Sequence, residues 1–390
     1  MTRPTPSFQE VPVPNRSRPA TLAIVALVIG LLVAACSGGE TAQTCGGSGA
    51  PPTTTTGAIP SAGCSSGPTG SADVPSGSPS PTLAGAPVKL VVGLGYIPNV
   101  QFAPFYLGQT DGLYEAAGLQ VEFENKIDPD LVTLVGQGAI DVGISDGTSV
   151  IPAVSQAIPV QYIATIYGKF PSIVFAKTSS GIKTAADLKG KKLGIPGRYG
   201  SSWIMLQALL ASADLTPDDL TIVEYPDFGQ GAAVAAGAVD AATGFVNNEP
   251  VVLGLTGEPV TVLHVDDITP LPGPGLISST KTLEGKHEAI ARFVAVTLDA
   301  MARIQADPQA GLDAAAKTVD GLKADDPTQK AVLDATIDAW TGPVQQAGGL
   351  GAIDTAGWTT SIDYLASLGL TKAPVTVDQV VRTDLLPPRG

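Results

Sequence analysis

The chain has 390 residues, which is enough for about two domains once non-globular parts are set aside. It carries 22 Lys and Arg against 36 Asp and Glu, a formal net charge of −14. Because neutralising phosphates requires clustered basic side chains, this balance argues against a nucleic-acid partner. It does not exclude a small anionic ligand, because helix N-termini bind anions without formal charge.

The first 35 residues have the organisation of an export signal. Three arginines precede an uncharged apolar run at 20–33, which is shorter than the roughly 20 residues that a spanning helix needs. The run ends in small residues and Cys36, the pattern of a lipoprotein cleavage site. We therefore predict a signal peptide over 1–35 and acylation of Cys36, which anchors the chain on the extracytoplasmic face of the cell membrane. The alternative is an ordinary signal peptide or an anchor helix with a chance cysteine.

Residues 36–87 are dominated by Gly, Ser, Thr, Pro and Ala. Such a composition has almost nothing to bury, so we predict a disordered tether. Cys45 and Cys64 lie in this segment and could pair in an oxidising exterior. No cysteine follows residue 87, which excludes thiolate metal sites and cysteine nucleophiles from the folded part.

From Val88 the sequence alternates between strand and helix patterns. We predict strands at 88–96, 119–123, 141–144, 160–167 and 172–176, and helices near 102–117, 129–137 and 148–157. The first strand is apolar on both pleat faces, as in a strand buried between helices. This alternation predicts βα units and a largely parallel sheet.

A second run of alternating elements begins near residue 178. Strands are predicted at 191–196, 220–225, 241–245 and 260–265, with helices at 201–212 and 232–237 and a capped helix start at Thr216. A strand at 275–278 precedes a long helix with one apolar face between Leu283 and Ile304. Helices near 309–320, 325–341 and 355–368 complete the chain.

These elements predict an α/β fold with two lobes. Residues 88–177 plus 272–390 form the first lobe, and 178–271 form the second. Two crossovers then connect the lobes and leave a cleft whose closure can trap a ligand.

The segment after the first strand is the most informative candidate for the site. It lies past the carboxyl end of that strand, where open α/β sheets place their ligand crevice. Pro98 stiffens the turn, Asn99 offers an amide, and Tyr96 and Phe102 offer flat surfaces. A turn with core aromatics is the alternative.

Two further loops follow predicted strands and open helices. Ser145 and Asp146 are expected to line the cleft floor, with packing or surface roles as the alternative. Their surroundings match Gly-x-Ser-x-Gly, but a hydrolase would also need a histidine base, and neither of the two histidines is expected to serve as one. Tyr199 and Ser201 lie in a glycine-containing loop whose amides suit an acceptor; a capped helix start is the alternative.

Two more segments complete the predicted site. Asn247, Asn248 and Glu249 follow the strand at 241–245, and burying them is costly unless something pairs with them. An Asx turn with a solvated Glu is the alternative. Tyr167 and Phe170 lie near the expected hinge, from which they would wall the pocket. The sequence shows no spacing typical of a metal site and no cofactor motif.

Several segments together resemble the thiamine-pyrimidine, alkanesulfonate and nitrate type of ABC substrate-binding proteins. They occur in the family's order and span nearly all of 88–345: 96–99, 105–106, 112–121, 186–196 and 246–250. The resemblance implies a two-lobed clamshell of the type II periplasmic-binding-protein class. It also implies a monomer that captures a small molecule without catalysis and docks on an ABC permease with its ATPase.

The resemblance also bears on the ligand. Tyr96 stands where the thiamine-precursor branch has a stacking tryptophan, while Pro98 and Asn99 match. Phe102 stands where the related pyrimidine-making proteins have histidine, and their cysteine cluster is absent, which argues against a pyrimidine-processing enzyme. A thiamine-pyrimidine precursor is favoured, then riboflavin; sulfonate or nitrate is less favoured because a carboxylate repels anions. A ligand sensor without transport stays an open alternative.

Overall fold

The computed structural model describes residues 86–126 and 130–388. The predicted signal peptide, the lipidation site Cys36 and positions 36–85 of the predicted tether, with Cys45 and Cys64, lie outside the described residues. Signal peptide, acylation and tether therefore stay predictions.

Ten strands form two five-stranded sheets in the described part of the chain. They are β1 (Val88–Leu94), β2 (Leu119–Asn125), β3 (Val142–Ser145), β4 (Val160–Thr165), β5 (Ser172–Lys177), β6 (Lys192–Ile195), β7 (Thr221–Glu224), β8 (Ala241–Phe245), β9 (Val260–His264) and β10 (Gly275–Ser279). The first sheet has the order β2-β1-β3-β10-β4, and the second has the order β7-β6-β8-β5-β9. The two sheets with their helices confirm the predicted two-lobed α/β architecture.

Each sheet is parallel except for one strand that enters from the other sheet. In the first sheet β1 runs parallel to β2 and β3, whereas β10 is antiparallel to β3 and β4. In the second sheet β6 runs parallel to β7 and β8, whereas β5 is antiparallel to β8 and β9. The chain crosses between sheets at 166–171, before β5, and at 265–274, before β10.

Residues 172–177 belong to the second sheet, not to the first lobe where the sequence analysis placed them. Strand β5 pairs with β8 from Ser172 opposite Phe245 to Ala176 opposite Ala241, and with β9 on its other side. The strand pattern identified β5 correctly, but an apolar strand buried on both faces carries no mark of the sheet it joins. The first crossover therefore lies before residue 172.

Helices cover the sheets. They are α1 (Ala103–Thr110), α2 (Leu113–Ala116), α3 (Asp130–Gln137), α4 (Gly147–Ser155), α5 (Gly200–Ala211), α6 (Gln230–Ala235), α7 (Glu249–Leu255), α8 (Thr280–Ala306), α9 (Pro308–Thr318), α10 (Pro327–Trp340), α11 (Pro343–Gly348), α12 (Thr355–Ser367) and α13 (Val377–Val380). The capped start predicted at Thr216 is a single 3-10 turn, Pro217–Asp219. Within 86–126 and 130–388, no helix is both long and apolar enough to cross a bilayer.

The helix predicted at 102–117 is divided in two. Gly112, between α1 and α2, adopts a left-handed φ of 67°, which glycine tolerates without a Cβ clash. The break turns Tyr114 into the core, where its ring stacks on Phe293 at 5.1 Å between centroids. Its hydroxyl shares a hydrogen bond of 3.0 Å with Thr297. Burial of an aromatic ring thus accompanies the interruption of the helix.

The C-terminal helices reach both lobes. The predicted apolar face of α8 is buried in the first lobe, from Leu283 to Ile304. Helix α12 packs beside α4 of the first lobe, and Tyr364 on α12 donates a hydrogen bond to the Ala208 carbonyl of the second lobe at 3.4 Å. The Ser361 hydroxyl on α12 donates to the carbonyl of Pro270 in the second crossover. These contacts brace the crossover side of the cleft.

Truncating a buried leucine of the second lobe tests this packing. Leu193 on β6 is fully buried, so Leu193→Ala is expected to lower the free energy of unfolding by about 2–5 kcal/mol. Leu255 on α7 is 53% exposed, and Leu255→Ala is the matched control with an expected change of less than about 0.5 kcal/mol. Urea unfolding followed by circular dichroism measures both. Equal losses for the two variants would contradict the described core.

Candidate functional site

A cavity lies between the lobes, where the loops after parallel strands of both sheets meet. Its empty volume is about 1020 Å³, open solvent at the mouth included. The first lobe contributes the loops after β1 and β3, and the second contributes those after β6, β7 and β8. Both crossovers also reach the wall, through Tyr167 and Pro274. The carboxyl ends of parallel strands therefore converge on one cleft, as the position of the first loop predicted.

Nine of the twelve predicted site residues line this cavity. They are Tyr96, Phe102, Ser145, Asp146, Tyr167, Tyr199, Ser201, Asn248 and Glu249. Residues separated by more than 100 positions in sequence are thus brought to one wall. Their contact with a ligand stays a prediction.

Two of the other three predicted residues hold neighbouring loops in place. Asn99 caps the 3-10 helix at Val100–Phe102, where its Oδ1 accepts from the Gln101 amide at 3.0 Å. Phe170 is 3% exposed and packs in the core of the second lobe. Its backbone N–H donates to the Asp266 carboxylate at 3.2 Å, so this bond ties the two crossovers together.

The third, Asn247, belongs to a cluster of amides that joins the lobes. Asn247 is fully buried, and its Nδ2 donates to Thr336 Oγ1 at 2.9 Å and to Gln101 Oε1 at 3.3 Å. Asn248 Nδ2 also donates to Gln101 Oε1, at 3.2 Å, and Asn99 Nδ2 donates to Asn248 Oδ1 at 3.4 Å. Side chains of opposite lobes therefore contact each other directly beside the cavity.

Aromatic rings from the two lobes meet at the cavity. Tyr96 of the first lobe and Phe228 of the second lie 4.9 Å apart between centroids, at an interplanar angle of 81°. Phe228 has a left-handed φ of 60°, a conformation that costs a non-glycine residue energy and is concentrated at functional sites. Phe228 was not among the predicted site residues. The sequence feature that could have indicated it is an aromatic residue in a loop after a strand, in a chain with only 5% aromatic residues.

Asp146 is a buried carboxylate at the cavity wall. It caps α4, where it accepts from the Ser149 amide at 3.1 Å and from the Thr148 hydroxyl. It also accepts from the Ser201 hydroxyl of the second lobe. Burial raises the pKa of Asp146, and these hydrogen bonds oppose the increase. Asp146 thus links the first turn of α4 to the first turn of α5.

Glu249 is the second carboxylate of the cavity wall. Its Oε2 accepts from the Phe245 amide at 2.9 Å, and its Oε1 accepts from Gln230 Nε2 at 3.1 Å. Burial raises the pKa of Glu249, and its charge adds to the increase that burial causes in the pKa of Tyr96. A Cβ on Gly244 would lie 2.7 Å from Glu249 Oε2, so the missing side chain leaves space for the carboxylate.

The cavity wall is acidic without a compensating cation. Asp146 and Glu249 line it, whereas none of its lining residues is Lys, Arg or His. Such a wall favours a neutral or cationic ligand with N–H or O–H donors, and it disfavours an anion. Across 86–126 and 130–388, no three His, Cys, Asp or Glu side chains come together as a candidate metal site.

Besides Phe228, the lining residues that were not among the predicted site residues include Gln101, Ser202, Gln230 and Phe245. Gln101, Ser202 and Phe245 each lie within two residues of a predicted site residue. Gln230 gave no comparable signal, because a glutamine at a helix start is ordinarily solvated. The fold buries it to 1% exposure.

Comparison with known proteins identifies related sequences and folds. The family described as "NMT1/THI5 like" matches residues 99–311. Riboflavin-binding protein RibY of Chloroflexus aurantiacus is 31% identical over 303 residues, which cover 77% of this chain and 86% of that protein. The 4-amino-5-hydroxymethyl-2-methylpyrimidine phosphate synthase of Aspergillus parasiticus is 31% identical over 153 residues, 39% of this chain and 44% of that enzyme.

The fold has solved counterparts. The alkanesulfonate-binding protein SsuA of Xanthomonas axonopodis pv. citri, bound to MOPS, superposes with a TM-score of 0.61 at 20% identity. The match covers 77% of this chain and 100% of that one. At this identity the likeness establishes the periplasmic-binding-protein fold and leaves the ligand to the side chains of the cleft.

Because burial raises the pKa of Glu249, the difference in unfolding free energy between the wild type and Glu249→Gln is expected to depend on pH. An acid whose pKa is raised by folding stabilises the fold below its unfolded pKa, and that contribution is lost as pH rises through the folded pKa. The unfolding free energy of the wild type, relative to Glu249→Gln, is therefore expected to fall as pH rises from about 4 to about 8. Urea unfolding across this range measures it.

Glu288→Gln is the control for the pH series. The Glu288 side chain on α8 is 87% exposed, so its difference from the wild type is expected to change little over the same range. If the wild type instead became more stable relative to Glu249→Gln as pH rises, the result would contradict the buried environment of Glu249.

Proposed function

This chain belongs to the NMT1/THI5-like family, and on that premise we propose that it is the solute-binding lipoprotein of an ABC importer. It captures a neutral, planar, nitrogen-containing heterocycle between its lobes, and we name a flavin such as riboflavin as the ligand class. The observation that carries the proposal is the interlobe cavity, which combines aromatic rings from both lobes with two carboxylates and no cationic lining residue.

Binding without catalysis accounts for the roles that the cavity residues already have. Asp146 and Glu249 are the carboxylates of the wall, and each accepts hydrogen bonds that hold a helix start or a neighbouring loop. Phe102 provides an apolar surface where the related pyrimidine-making proteins have a histidine. The relative that covers most of this chain is named as a binding protein, whereas the synthase match covers 39% of it.

Two groups of side chains suit the two parts of a flavin. One group combines the Tyr96–Phe228 ring contact with the Gln230–Glu249 hydrogen bond, and Glu249 is close enough to Tyr96 for its charge to add to the increase that burial causes in the pKa of Tyr96. Aromatic faces of this kind pack against flat rings. Asp146 and Ser201 are hydrogen-bonded to each other and, with Ser145 and Ser202, offer oxygen atoms to the hydroxyls of a ribityl chain.

The cavity distinguishes flavin from the other ligands considered. A sulfonate or nitrate would bring a negative charge to a wall that already carries the two carboxylates Asp146 and Glu249, which is unfavourable in a desolvated site. A thiamine-pyrimidine precursor, which the sequence analysis favoured, has a single ring and lacks the ribityl hydroxyls that would bind near Asp146 and Ser201. It stays the second candidate, because Glu249 is able to accept from an exocyclic amine.

Closure of the lobes links capture of the ligand to its delivery to the permease. The Asn99–Asn248 and Asp146–Ser201 contacts join opposite lobes, so a ligand that adds contacts to both lobes favours the closed form. An ABC permease then receives the closed protein, which Cys36 holds at the extracytoplasmic membrane surface. The tether at 36–87 gives the lobes their reach.

Flavin binding is measured by quenching of riboflavin fluorescence and by calorimetry. Because Tyr96 supplies a ring face to the ligand, Tyr96→Ala is expected to weaken riboflavin binding about 10- to 100-fold. Tyr96→Phe keeps the ring and is the matched control, with a change of no more than about threefold. The thiamine pyrimidine and taurine are titrated in parallel. Binding of taurine by a protein that gives no signal with riboflavin would contradict the proposal.

Lipidation is tested separately in the full-length chain. Cys36→Ser is expected to abolish incorporation of labelled fatty acid and to release the protein from the membrane fraction, because acylation needs the Cys36 thiol. Cys45→Ser removes a neighbouring tether cysteine and is expected to leave both readouts unchanged. Membrane association of Cys36→Ser at the wild-type level would contradict lipid anchoring at this residue.

A further inference from the structure

Gln230, at the start of α6, lines the cavity and carries a buried acceptor without a hydrogen-bond partner in the described part of the chain. Its side chain lines the cavity and is 1% exposed. The Oε1 atom has no hydrogen-bond partner among the described residues. The other buried side-chain atoms that share this condition belong to Thr243, Asn247, Arg292 and Trp340, and none of those residues lines the cavity. A desolvated acceptor is costly to leave unpaired, so a ligand donor at this position stabilises the closed protein.

The orientation of the Gln230 amide follows from its neighbour. Nε2 donates to Glu249 Oε1 at 3.1 Å, so the amide nitrogen faces Glu249. The amide oxygen is left for another donor. Glu249 is itself fixed by the Phe245 amide at 2.9 Å. This chain of bonds holds the Gln230 oxygen in place before a ligand arrives.

The backbone around Gln230 and Glu249 is closely packed. A Cβ on Gly194 would lie 3.1 Å from the Gln230 Cβ, and a Cβ on Gly231 would lie 3.2 Å from the Glu249 Cγ. Side chains at these two glycines would therefore crowd the Gln230–Glu249 pair. The Gln230 acceptor thus lies in a tightly packed part of the cavity wall.

We propose that Gln230 Oε1 accepts a hydrogen bond from the imide N–H of the bound flavin ring and is a specificity-determining contact for it. This inference rests on the proposed function and names the ligand group that Gln230 recognises. An oxidised flavin ring carries a single ring N–H, flanked by two carbonyls. That N–H complements one fixed acceptor, and Tyr96 and Phe228 lie within the same group of side chains to pack against the ring.

The experiment compares riboflavin with an analogue methylated on its imide nitrogen. In the wild-type protein the methyl group removes the donor and leaves Gln230 Oε1 unpaired, so the dissociation constant is expected to rise at least about tenfold. Gln230→Leu removes the acceptor, and the ratio of the two dissociation constants is expected to fall to about one to three. Calorimetry and fluorescence quenching measure all four constants.

Gln156→Leu makes the same chemical change at an exposed glutamine of the first lobe and is expected to keep the wild-type ratio. Lumiflavin, which lacks the ribityl chain, separates a ring contact from a chain contact. Its affinity is expected to fall about tenfold in Gln230→Leu, whereas insensitivity of lumiflavin would overturn the proposal.

The wild-type ratio tests the inference even when Gln230→Leu folds poorly. Equal affinity of the wild type for riboflavin and the methylated analogue would overturn the Gln230 contact and leave riboflavin capture standing. Absence of binding to either flavin would overturn the proposed function and the contact together. A ratio of about ten or more that Gln156→Leu keeps and Gln230→Leu loses would establish the contact.

Discussion

The burial of two carboxylates at the cleft, Asp146 and Glu249, is the constraint around which the hydrogen bonds of the site are arranged. Transferring a carboxylate out of water is costly unless hydrogen-bond donors replace the water. The donors here come from helix starts and from the end of a strand: Ser149 and Ser201 for Asp146, and Phe245 for Glu249. Because Ser201 belongs to the opposite lobe from Asp146, closure contributes to satisfying that carboxylate. The same carboxylates select against anionic ligands.

The arrangement of the strands explains why these groups converge. In each sheet the parallel strands direct their carboxyl ends toward the cleft, and the antiparallel strand, β10 or β5, brings the chain back from the other sheet. The crossovers at 166–171 and 265–274 are tied by the Phe170–Asp266 hydrogen bond. Two linked segments between the sheets are the arrangement that the proposed closure over one cavity needs.

The shared fold does not determine what the cleft binds. SsuA, an alkanesulfonate-binding protein, and this chain superpose with a TM-score of 0.61, yet the wall described here has two carboxylates and no lining cation. Ligand class therefore depends on a few side chains carried on similar loops. Phe228 and Gln230 are proposed as two such residues, and both lie in the loop and helix start after β7.

The sequence alone was sufficient for the two-lobed α/β fold and most strands, and nine of its twelve predicted site residues line the cavity. Strand periodicity and the rule that ligands bind at carboxyl ends of parallel strands are local signals. Only the tertiary structure decided that β5 joins the second sheet, because pairing partners are distant in sequence. It also decided that Phe170 and Asn247 are buried residues that stabilise neighbouring segments, and that the Gln230 side chain is shielded from solvent. Burial depends on which segments fold against a residue.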